Sequence, residues 1–158
     1  MAINKGMMSS NTNEWSTPQD LFDALDRVFS FNLDPCANKE NHKCDQYFTI
    51  EDDGLSLPWS GSVFMNPPYG SVIGHWIKKA YEESQRPNVD VVVCLIPSRT
   101  DTRYWHDYVM KASEVWLIKG RIRFSGKDPA PFPSAVVVFN GSNGPLKVKS
   151  YNWMEDES

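Results

Sequence analysis

Apolar positions along this chain recur at two spacings, and the switches between them mark its elements. After Trp15-Ser16-Thr17-Pro18, the residues Leu21, Phe22, Leu25, Val28 and Phe29 fall on one stripe of an α-helix. Thr17 is placed to cap that helix, Pro18 fits its first turn, and Asp20 suits its positive end. A second helix is expected from about Val72 to Glu83, with Val72, Ile73, Trp76, Ile77 and Ala80 facing inward. A third follows Thr100-Asp101, where Trp105, Tyr108, Val109 and Ala112 share a face. Short apolar runs between the helices read as strands: Phe31–Asp34, Tyr47–Ile50, Ser62–Met65, Val89–Ile96 and Glu114–Ile118. Arg121–Phe124 and Ala135–Phe139 are expected to close the sheet as an antiparallel hairpin. After the turn-forming Asn140-Gly141-Ser142-Asn143-Gly144-Pro145, Leu146–Ser150 supplies a last short strand. Val89–Ile96 is nearly continuous in apolar residues, as a strand covered on both faces must be. Strands alternating with helices give an α/β sheet, whose ligands belong at the carboxyl ends of the strands.

This pattern occupies residues 15–141 and forms one domain. Residues 1–14 read as a flexible arm, and 142–158 as a short strand with an acidic tail. The chain has 158 residues and a net charge of −4, with three of the negative charges in the last five residues. A strongly basic nucleic-acid coat is excluded; a local basic face is not. The three cysteines, Cys36, Cys44 and Cys94, form no Cys-x-x-Cys unit, so neither a disulfide scaffold nor a metal site is expected. The N-terminus has no apolar h-region and no stretch is long enough to span a bilayer, so a cytoplasmic location is the expectation.

The segment Val63-Phe64-Met65-Asn66-Pro67-Pro68-Tyr69-Gly70 carries the chemistry. An apolar strand runs into two prolines, which cannot donate ladder hydrogen bonds and end it. Each proline biases the residue before it toward an extended backbone, which stiffens the bend. The Asn66 amide oxygen and the Pro67 carbonyl can then act as two acceptors aimed at one spot, with the Tyr69 ring beside them. A conjugated amino group has the matching need, because its lone pair is delocalised and it is a poor nucleophile. Two acceptors on its N–H bonds favour charge build-up on nitrogen as it attacks a methyl group. Tyr69 would stack on the heterocycle and hold it in line.

Asn66-Pro67-Pro68-Tyr69 is the amino-methyltransferase signature, and its setting resembles the phage-type, Dam-like DNA N6-adenine methyltransferases. The resemblance spans Trp15 to Phe139. Its landmarks are Trp15-Ser16-Thr17-Pro18, Leu33-Asp34-Pro35-Cys36-Ala37, Asp53-Gly54-Leu55 with Trp59, the signature itself, and Pro131-Phe132-Pro133-Ser134. It implies a reduced Rossmann-like fold for S-adenosylmethionine-dependent methyltransfer to a flipped adenine in double-stranded DNA. The catalytic group would be Asn66, Pro67, Pro68 and Tyr69. Trp15, Thr17, Pro18, Asp34, Pro35, Ala37, Glu51 and Asp53 would meet the cofactor, with Asp34 near its amino acid portion. The chain departs from the broader methyltransferase pattern in having no Gly-x-Gly after the first strand. A phage-encoded role in modification against restriction is also implied.

Several of these positions have competing uses. Glu51, Asp52 and Asp53 all follow the second strand, and any of them could meet the ribose hydroxyls; Glu51 stands nearest the strand end. Phe132 either contains the flipped base opposite Tyr69 or packs in the core. Arg99, Arg103, Arg121, Arg123 and Lys127 cluster after strand ends and are candidates for DNA phosphates. With no separate recognition domain, specificity would fall to the loops Asn38–Gln46, Ser98–Arg103 and Arg121–Pro133. An RNA or protein-glutamine methyltransferase, or a silent DNA-binding relative, remains the alternative.

Overall fold

Nine residues, Val89–Pro97, form the strand around which the sheet is built. The computed structural model describes residues 15–124 and 128–154. Their elements run α1 (Gln19–Phe29), β1 (Leu33–Asp34), β2 (Gln46–Tyr47), β3 (Gly61–Met65), α2 (Ile73–Ser84) and β4 (Val89–Pro97). They continue as α3 (Arg103–Asp107), a single 3-10 turn (Val109–Lys111), β5 (Glu114–Ile118), β6 (Ser134–Phe139) and β7 (Lys147–Tyr151). The seven strands are ordered β2-β1-β3-β4-β6-β5-β7.

Strands β2, β1, β3 and β4 are parallel; β6 is antiparallel to both β4 and β5, and β7 is parallel to β5. All strands but β6 therefore point the same way, and their carboxyl ends share one rim. Only Asp90 of β4 is exposed. Helix α1 covers one face, where Phe22 meets Phe64 of β3 edge-on at 5.1 Å. Helix α2 covers the other, where Tyr81 meets Phe139 of β6 at 6.1 Å. Both faces of the central strands are thus dry, which explains their unbroken apolar sequence.

The expected strands are present with shifted ends, except one. Arg121–Phe124 is not a strand. Ile122 and Phe124 are buried while Arg121 and Arg123 are exposed, so the alternation is real. The segment lacks a ladder: its one backbone tie is Ala130 N–H to the Ile122 carbonyl, 2.9 Å. The antiparallel partners of β6 are instead β4 and β5, one on each side. The second strand is also shorter than expected, because Phe48, Thr49 and Ile50 leave the sheet to line a cleft.

Thr17 is not the cap of α1. Pro18 holds that position without a side-chain cap, and the Thr17 hydroxyl is taken by Asn66, as described below. Val28 is 63% exposed; Phe29 closes the apolar stripe by stacking on Trp116 at 5.6 Å. The third helix is a five-residue turn of α-helix followed by the 3-10 turn, with Trp105, Val109 and Ala112 buried. β7 extends the same sheet beyond β5, so the C-terminal strand belongs to the domain. The proposed arm at 1–14 and the acidic residues 155–158 lie outside the described residues.

The loop between β2 and β3 is pinned to α2. Trp59 is 1% exposed; its backbone N–H donates to Glu83 at 2.7 Å and its indole Nε1 to the Gly54 carbonyl at 2.9 Å. Glu83 is also paired with Lys79 at 3.3 Å, which keeps its buried charge compensated. Trp59 is thus a structural residue.

Candidate active site

Where β1, β2 and β3 end, the shared rim opens into a cleft of about 500 Å³. Its wall on one side is the backbone from Pro35 to Asn41, leaving β1. Phe48, Thr49, Ile50 and Glu51 form another side, and Pro68 and Trp76 close the bottom. The Pro35 loop is stitched to the β2 segment by Phe48 N–H to the Asp34 carbonyl and Ala37 N–H to the Phe48 carbonyl, both 3.0 Å. Next to this cleft, sharing Cys36 and Asn41 with it, lies a smaller hollow of about 20 Å³ lined by Thr17, Asp34, Lys43 and Asn66. The two spaces together run from Glu51 past Asp34 to Asn66.

Asp34 is 5% exposed. Its two oxygens accept the backbone N–H groups of Cys36 (3.3 Å) and Lys43 (3.0 Å). Burial lifts its carboxyl from 3.8 to about 6, and those two N–H groups hold it from rising further. The Lys43 charge also favours its ionised form, less than those two N–H groups do, and a buried carboxylate is suited to a further cation such as the ammonium of an amino acid. Of the acidic trio, Glu51 lines the cleft. Asp52 is committed to the turn, accepting Thr49 N–H at 2.8 Å. Asp53, at φ 60°, offers its carbonyl to Ser56 and does not line the cleft.

Gly54 fixes the Pro35 loop from behind. A side chain there would run into the Pro35 carbonyl oxygen and the Trp76 ring. Gly54→Ala is therefore expected to push that loop into the cleft and weaken binding of a ligand there about tenfold or more, a cost of about 1–3 kcal/mol for such overpacking. Calorimetric titration checks this, and an unchanged affinity would remove Gly54 from the cleft's support.

The Asn66 amide is held in one orientation. Its Nδ2 donates to the Trp15 carbonyl (2.7 Å) and to the Thr17 hydroxyl (2.9 Å). A carbonyl can only accept, so the atom facing it is the nitrogen, and Oδ1 must point the other way. There Oδ1 accepts the Tyr69 hydroxyl at 3.0 Å, and the same hydroxyl lies 3.1 Å from the Leu95 carbonyl. One lone pair of Oδ1 stays available. Pro67, Pro68 and Tyr69 are buried, with Tyr69 only 4% exposed. Burial pushes the Tyr69 phenol far above its ordinary value, so it stays protonated.

Tyr69 and Phe132 are brought together as expected, but no open slot separates them. Their rings meet edge to face at 5.6 Å. Trp15 stacks on Tyr69 at 6.4 Å with 19° between planes, and stands edge-on to Phe132 at 5.1 Å and Phe124 at 5.4 Å. Trp15 lines neither the cleft nor the hollow; only its carbonyl serves the site. Four aromatic rings facing water would expose a large apolar patch, and their mutual packing removes it.

The profile of the DNA N-6-adenine-methyltransferase (Dam) family matches residues 5–145. The chain belongs to that family. Among relatives of this Dam-family chain, the DNA N-6-adenine-methyltransferase of Haemophilus phage HP1 is 32% identical over 127 residues, 75% of this chain and 72% of the relative. That of Escherichia phage T1 is 31% identical over 108 residues, 65% of this chain and 44% of the relative. The putative methyltransferase YfdM of Escherichia coli K12 is 37% identical over 65 residues, 36% of this chain and 71% of the relative. Family membership makes this a DNA adenine methyltransferase, with DNA as substrate and a methyl donor as its second requirement.

The basic residues singled out in the sequence stand on the same rim. Arg99 and Arg103 follow β4, and Arg121 and Arg123 follow β5, so all four are exposed on the rim that holds the cleft. The Arg99 guanidinium sits 5.6 Å over the Phe132 ring, and Arg121 donates to the Ala130 carbonyl at 3.3 Å. Lys127 lies outside the described residues. Sequence reasoning missed Asn41, Phe48, Ile50 and Trp76 as cleft walls and Phe124 as part of the aromatic cluster. Trp76 carried a signal, since it was expected inward on α2. The others depend on where a chain leaves the sheet, which spacing does not encode.

Proposed function

We propose that this chain transfers the methyl group of S-adenosylmethionine to N6 of an adenine flipped out of duplex DNA, using a reduced Rossmann-like methyltransferase fold. The observation that carries this reading is the locked Asn66 amide, which lines the hollow beside the cleft and whose oxygen is turned to the Tyr69 hydroxyl. The sheet supports the fold assignment: one antiparallel strand inserted into an otherwise parallel set, with the candidate site at the carboxyl ends.

The cleft suits the donor. Glu51 is placed for the ribose hydroxyls, Phe48, Ile50, Pro68 and Trp76 for the purine, and Asp34 for the amino group of the methionine portion. The indole Nε1 of Trp76 is buried without a hydrogen-bond partner among the described residues, a donor the bound purine could use. When bound, S-adenosylmethionine supplies an electrophilic methyl group on a sulfonium. The protein's own work is to hold the amine: the free lone pair of Asn66 Oδ1 and the Pro67 carbonyl accept its two N–H bonds as positive charge grows on nitrogen. The extruded adenine takes the place of the Trp15 indole on the Tyr69 face, one aromatic surface replacing another, which limits the cost of flipping. The phage relatives support a phage-derived enzyme, and its proposed place of action is the bacterial cytoplasm, on host or phage DNA.

Methyl transfer to DNA, RNA and protein, followed by mapping of modified adenines in plasmid DNA, tests the reading. N6-methyladenine in DNA is the expected product, and methyl-glutamine without methyl-adenine would replace it. Arg99 and Arg103 are proposed to meet phosphates. Changing both to alanine should weaken DNA binding and flatten the dependence of log affinity on log salt by about 0.9 per lost contact. Fluorescence anisotropy between 50 and 200 mM salt gives the slope, and an unaltered one removes both arginines from the interface.

A further inference from the structure

Ser134 opens β6 at the rim of the site, two residues after Phe132. It is 2% exposed, and its hydroxyl has no hydrogen-bond partner among the described residues. Buried hydroxyls nearly always find a partner, since losing water without replacement is costly. Next to it the Pro133 carbonyl accepts Ser98 N–H at 2.9 Å, and Ser134 is the register partner of Pro97 of β4.

Register tells which way it points. Along β6, Ser134, Val136 and Val138 share a face. Val138 pairs with Val93, and Val93 with Phe64, whose ring packs on Phe22 of α1. Asn66 follows Phe64 by two residues and bonds to Trp15 and Thr17 just ahead of α1, so it lies on this face as well. Asn66 and Ser134 therefore occupy one face at one rim, with only the end of β4 between them. Met65 is level with Cys94, so Asn66 continues the register to Leu95, whereas Ser134 is level with Pro97. Two strand spacings and a two-residue offset put the backbones about 12 Å apart, a gap that the two side chains can span with a purine bonded at its amino group and at N3. The Tyr69 and Phe132 rings stand in the same quarter of the molecule.

We propose that Ser134 is a base-reading residue, whose hydroxyl donates to N3, the ring nitrogen opposite the amino group that Asn66 holds. This rests on the methyl-transfer reading above. It adds a second, distant point of recognition, so the base is fixed at both ends and its tilt against the donor is set. In the absence of a base the hydroxyl is kept dry and unpaired, ready for the one acceptor that enters.

The test uses the full chain and duplexes carrying the methylated site once it has been mapped. Ser134→Ala should lower kcat/KM on adenine DNA about tenfold, leave donor affinity unchanged, and leave thermal stability equal or higher because no described residue bonds the hydroxyl. Duplexes with 1-deaza-, 3-deaza- or 7-deazaadenine at the target then locate the contact. The wild-type protein should lose about tenfold on the 3-deaza base alone, and S134A should lose nothing further on it. The 7-deaza base should affect both proteins alike. Full activity of S134A on adenine, or equal wild-type rates on all three analogues, overturns the proposal, and the second result needs no variant. A wild-type protein that methylates no DNA at all instead overturns the functional reading beneath it.

Discussion

Asn66→Ala is expected to cut the rate of methyl transfer by about 10²–10³, the range found when one preorganised group is removed from a developing charge. The affinity for the methyl donor should stay within about threefold. The asymmetry follows from where the side chain works. In the proposed mechanism its oxygen accepts from the amine, whereas the donor's charged end is assigned to Asp34. The substitution also releases the Trp15 carbonyl, the Thr17 hydroxyl and the Tyr69 hydroxyl, each of which now bonds Asn66. Single-turnover transfer measured beside calorimetric binding separates the two effects. An equal loss in both would mean that Asn66 mainly holds the N-terminal segment over the hollow, and that the amine is activated elsewhere.

Asp34→Asn should show the reverse: donor affinity down by at least tenfold at pH 7.5, with much of the chemistry retained at saturating donor. The wild-type affinity should be flat above about pH 6 and weaken as the pH falls below it, because the carboxylate must be ionised to hold an ammonium. In D34N that dependence should vanish, and a surviving pH profile would assign it to another group. Stability moves differently. The folded carboxyl titrates near 6, above its ordinary 3.8, so the free protein gains from Asp34 below about pH 4 and loses that gain as pH rises through 6. Ionised and empty, Asp34 costs about 2–3 kcal/mol near neutrality. The amide removes that cost but turns an N–H toward Cys36 or Lys43, where the carboxylate accepted from both. The two terms offset, and the melting temperature should shift by only a few degrees.

The parts of this molecule that were legible in its sequence are those decided locally. Leu21, Phe22 and Leu25 had to share a helical stripe, and Val89–Ile96 had to be a central strand, because no other arrangement buries them. The Asn66-Pro67-Pro68 bend was legible because proline restricts its neighbours wherever it occurs. Long-range pairing was not. Arg121–Phe124 has the alternation of a strand, yet β6 is already flanked by β4 and β5, and no edge is left for it. Thr17 has the chemistry of a cap, but its hydroxyl is worth more to Asn66, 49 residues away in sequence. Tyr69 was expected to offer an open face, and sequence could not show that Trp15 rests on it. Asp53 looked as suitable as Glu51 until the turn at Thr49 sent them different ways.

Because six strands run in one direction, the chemistry is confined to one end of the sheet and the other end is spectator. The links 85–88 and 140–146 lie at that far end, joining α2 to β4 and β6 to β7. A guest module spliced into the exposed Ser142–Pro145 stretch would hang a full strand length from the base and the donor. Such an insertion could lend the enzyme a new address on DNA while its catalytic end remained as it is.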